Sequence, residues 1–122
     1  MSGSYRDLTA WQQSIELVIS IYECTRQFPK EEQYGLVSQL RRAAVSVASN
    51  IAEGKGRSSD KELVLFLHHA LGSICEIETQ LTIAARLEFL PTEESARLGA
   101  KAREVAKVLN GLINALKRDI AA

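Results

Sequence analysis

The chain has 122 residues, 15 Lys and Arg against 15 Asp and Glu, two cysteines and 46% apolar side chains. A chain of that size can bury a core without disulfides or metals, and zero net charge excludes a global pull toward nucleic acid or an anionic membrane. The longest uncharged apolar stretch, LVLFLHHALGSIC from residue 63, is too short to span a bilayer.

The opening MSGSYRD has no basic segment followed by an apolar run, so no signal peptide is read there. Cys24 and Cys75 both sit among apolar residues and are expected as reduced, buried thiols in a cytoplasmic protein. Both prolines and most glycines fall between long periodic segments, the pattern of an all-α protein with short connections.

The spacing predicts a first helix over residues 8–27. Leu8, Trp11, Ile15, Val18 and Tyr22 share one face, and Leu17, Ile21, Cys24 and Phe28 form a second apolar row. The remaining polar stripe is narrow, so this helix needs partners on more than one side. Pro29 stops it. A second helix is predicted over 33–53, with Leu36, Leu40, Ala43, Val47 and Ile51 inward and a seam of Ser38, Arg42, Ser46, Ser49 and Glu53 outward.

The stretch EGKGRSSDKE then ends one helix and begins the next. Gly54 stands where a left-handed C-terminal residue is wanted, and Ser59 with Glu62 forms a capping box. The stretch lacks the phosphate-loop order G-x-x-x-x-G-K-[ST], and no strand precedes it. Its other reading is an anion seat, in which Lys55, Arg57 and the first amides of the next helix hold a phosphate.

A third helix is predicted over 60–89. Leu63, Phe66, Ala70, Ile74, Ile77, Leu81 and Ala84 point inward, widened by Leu67, Leu71 and Cys75. Pro91 closes it, and Thr92 is expected as the N-cap of a fourth helix over 93–118. That helix carries a heptad seam of Leu98, Ala102, Val105, Leu109, Leu112 and Leu116. The four helices make one antiparallel up-down-up-down bundle over residues 1–122.

No catalytic arrangement is apparent. His68 and His69 are adjacent, so they point about 100° apart and do not share one metal. His69, Ser73 and Glu76 share a face, readable as a polar seam or as a small metal or proton-transfer site. No cofactor is expected. Between residues 41 and 59 there are four bases, Arg41, Arg42, Lys55 and Arg57, against one acid, and Lys61 follows. Arg103, Lys107 and Lys117 line the fourth helix beside Asn110 and Asn114. These are the candidate nucleic-acid contacts, because Lys and Arg neutralise phosphates. The few aromatics mostly fall on core rows, so no exposed platform for stacking bases is expected.

The segments QLRRAAVS-x-x-SNIAEG-x-GR and FL-x-x-A-x-GS-x-x-E-x-E-x-QL, in residues 39–57 and 66–81, strongly resemble the bacterial family named for the protein encoded in intervening sequences of 23S ribosomal RNA. The resemblance runs over about residues 5–90. The accessory variability protein of diversity-generating retroelements is similar to the same family. The resemblance implies a four-helix bundle, a homopentameric barrel and a non-enzymatic role that involves RNA or DNA and a protein partner. The nucleic-acid-binding members are strongly basic, whereas this chain is neutral with a pI near 6.7. The alternative is a protein–protein interaction module with no nucleic-acid role and no membrane contact.

Overall fold

A computed structural model describes residues 3–122. Four helices, α1 (Thr9–Thr25), α2 (Leu36–Lys55), α3 (Asp60–Arg86) and α4 (Thr92–Ala121), are joined by short segments, and there is no strand among the described residues. Each helix packs on its sequence neighbours and α1 closes on α4, giving the expected four-helix bundle around one apolar core. The α2–α3 pair shares the most extensive contact. Among the described residues no helix is long and apolar enough to cross a membrane.

α1 turns its two apolar rows the opposite way from their apparent strength. Leu17, Ile21, Cys24 and Phe28 are buried together with Ala10, Ser14 and Thr25. The longer row is split: Leu8, Trp11 and Val18 are half-buried against the core, while Ile15 and Tyr22 are exposed, and Ile19 beside them is exposed as well. Two hydroxyls make this arrangement affordable. Ser14 Oγ donates to the Trp11 carbonyl at 2.7 Å and Thr25 Oγ1 to the Ile21 carbonyl at 2.7 Å, so both enter the core already satisfied.

The predicted core row of α2 is fully buried. Its first turn is capped by a residue outside the helix, as the Leu36 amide donates to Glu32 Oε1 at 3.2 Å. At the other end the expected role of Gly54 is corrected. Gly54 is helical and buried, α2 runs on to Lys55, and Gly56 closes the helix in a right-handed conformation. A Cβ on Gly54 would lie 2.6 Å from Phe66 Cβ and 3.1 Å from Leu63 Cδ1. The glycine is there because α3 passes too close for any side chain.

α3 begins as expected, with Ser59 Oγ accepting from the Glu62 amide at 3.2 Å. It ends at Arg86, three residues short of the expected 89, in a Schellman turn. The Phe89 amide donates to the Ala84 carbonyl at 2.9 Å and the Glu88 amide to the Ala85 carbonyl at 3.0 Å. The left-handed position of that turn is filled by Glu88, at φ 62°. A side chain there costs about 1–2 kcal/mol relative to glycine. Glu88→Gly is expected to raise stability by about 1 kcal/mol, read as a higher urea midpoint at unchanged slope; an unchanged or lower midpoint refutes this. α4 starts at Thr92 with Pro91 at the cap position and no side-chain cap bond, so Thr92 is the first helical residue and not the cap. In its seam Ile113 is buried and Leu112 only half-buried. Cys24 is buried as expected, but Cys75 is exposed.

Candidate nucleic-acid interface

The fold separates the predicted basic residues into four places. Arg41 is held on α1: its Nε donates to Thr25 Oγ1 at 2.9 Å, its Nη2 to the Tyr22 carbonyl at 3.3 Å, and its guanidinium lies 4.5 Å from the Tyr22 ring centre. These contacts use its donors to pin α2 against α1. Arg42, one residue on, points instead into the groove between α2 and α3.

Lys55, Arg57 and Lys61 lie at the α2–α3 turn, about 20 Å along the bundle from Arg42. The turn frames a small cleft of about 160 Å³ lined by Lys55, Arg57, Ser58, Ser59 and Asp60. Arg57 covers the Phe66 ring at 4.6 Å, and Ser59 is occupied as the cap of α3. Because α4 runs antiparallel to α3, Lys117 and Arg118 come down to this same end, which α1 also enters past Arg6. Six cations therefore gather there, but so do Asp7, Glu53, Asp60, Glu62 and Asp119. The local charge is close to balanced, like the chain as a whole. Arg103 and Lys107 are exposed halfway along α4, where Arg103 folds back over Gly99.

The His69, Ser73 and Glu76 face looks onto α2. Ser73 Oγ donates to Ser46 Oγ at 2.9 Å, and Asn50 Nδ2 donates to the Ser46 carbonyl at 2.8 Å. His69 is exposed and meets the Phe66 ring edge-on at 5.7 Å. No group of three or more His, Cys, Asp or Glu side chains converges among the described residues. At the opposite end of the bundle the Cys24 thiol is pushed up to about 11, chiefly by burial and then by the Glu94 carboxylate, which makes it a poor nucleophile.

Sequence reasoning missed Tyr34. It is 95% exposed and lines the same groove as Arg42, so an exposed aromatic is present after all. The signal was its position: it lies between the short turn at Lys30–Glu32 and Gly35, outside every helical row.

The family model for the 23S rRNA-intervening sequence protein matches residues 6–111. The crystal structure of a protein of unknown function from the S23 ribosomal protein family, from Bacteroides thetaiotaomicron, superposes with a TM-score of 0.78 at 22% identity, covering 86% of this chain and 98% of that one. That likeness is one of fold. No curated protein matches the chain. With the family model spanning most of its length, and the bundle that the model's residues build now described, the chain belongs to the 23S rRNA-intervening sequence protein family.

Proposed function

We propose that this protein is a non-enzymatic scaffold that assembles with copies of itself in the cytoplasm and contacts RNA or DNA. The observation that carries the assembly is the outer row of α1. Ile15, Ile19 and Tyr22 are 37%, 55% and 38% exposed at helical spacing, and Val45 of α2 is exposed by 41%. An apolar row of this length on a chain with a complete core of its own is suited to a subunit contact. A closed ring buries such a row on every copy, and five copies is the number that the family resemblance implies.

The nucleic-acid part rests on the family's name and on the cations Lys55, Arg57, Lys61 and Lys117 at one end of the bundle, with Arg103 and Lys107 behind them. In a ring these ends are repeated around one rim, so that weak contacts add. Replacing Lys55, Arg57, Lys61 and Lys117 with glutamine is expected to weaken binding to duplex DNA and lower the slope of log affinity against log salt by roughly 4. Anisotropy across a salt series measures both. An unchanged slope removes the assignment to this end. The balanced charge there favours a second reading, a protein-interaction module, and absence of any binding by the folded protein at low salt selects it.

A further inference from the structure

We draw no further inference here: the strongest candidate, the outer face of α3 with exposed Leu65, Cys75 and Ile83 around an open Gly72, is an unpartnered surface, and nothing in the structure shows what covers it.

Discussion

Gly54→Ala is expected to lower the melting temperature by roughly 8 °C, the net of two opposed effects. Alanine in a helix interior is worth about 1 kcal/mol over glycine, which favours the variant. Against it stands the clash of the new methyl with Phe66 Cβ at 2.6 Å. That atom is the first of its side chain, so no rotamer change moves it aside. α2 and α3 must separate by about 1 Å along their most extensive contact, at the upper end of the roughly 1–3 kcal/mol that overpacking costs. The clash wins by about 2 kcal/mol. Phe66→Ala does not rescue the variant, because the offending carbon remains. Gly72 and Gly111 supply the control of opposite sign: nothing lies within 4 Å of a Cβ at either, and alanine there gains helix propensity without cost. Thermal melts of the three single variants decide the matter, and a Gly54→Ala protein as stable as wild type refutes the packing argument.

Ile19→Glu is expected to abolish self-assembly while leaving the bundle folded. Ile19 is 55% exposed, so the free chain hardly registers the change. In an assembly built on this row, each contact loses the burial of an isoleucine, about 1.5 kcal/mol, and must also desolvate a carboxylate. A closed ring repeats that loss at every interface, so the penalty is multiplied by the number of subunits. Sedimentation is expected to move from an oligomer to a single folded monomer. A variant that sediments as wild type does would place the subunit contact on another face, and a wild-type protein that is monomeric would end the assembly proposal.

The helices were legible because their punctuation is local. Pro29, Ser59 and Pro91 mark the breaks, and the buried rows of α2 and α3 repeat at three and four with little competition. The orientation of α1 was not, because two apolar rows compete there. The face that goes inward carries two hydroxyls, Ser14 and Thr25, whose self-satisfaction through i−3 and i−4 carbonyls removes the cost of burying them and does not show in a hydropathy pattern. Gly54 was assigned to a turn from its place in the sequence, although its reason lies in Phe66, twelve residues on and across the turn. The candidate contacts were read as clusters from their neighbourhood in the chain. Arg41 and Arg42 differ by one position and by about 100° of helix, which sends one to staple α1 and leaves the other in the groove. The groove itself is assembled from residues about 40 positions apart, Gln39 and Gln80 among them, and only the fold brings them together.

The short turn at Gly56–Ser59 also sets an order of events. Every helix meets its successor along the chain, and only the α1–α4 closure is distant, so the loop entropy lost before contact energy returns is small. That loss is smallest for α2 and α3, which share the widest contact and the tightest link. We infer that this hairpin condenses first and that α4 docks late. The Gly54→Ala chain should then refold more slowly at nearly unchanged unfolding rate in a stopped-flow chevron. A change confined to the unfolding arm would place the nucleus elsewhere. The glycine that lets two helices touch would then act as a pacemaker for the search as well as a fixture of the finished bundle.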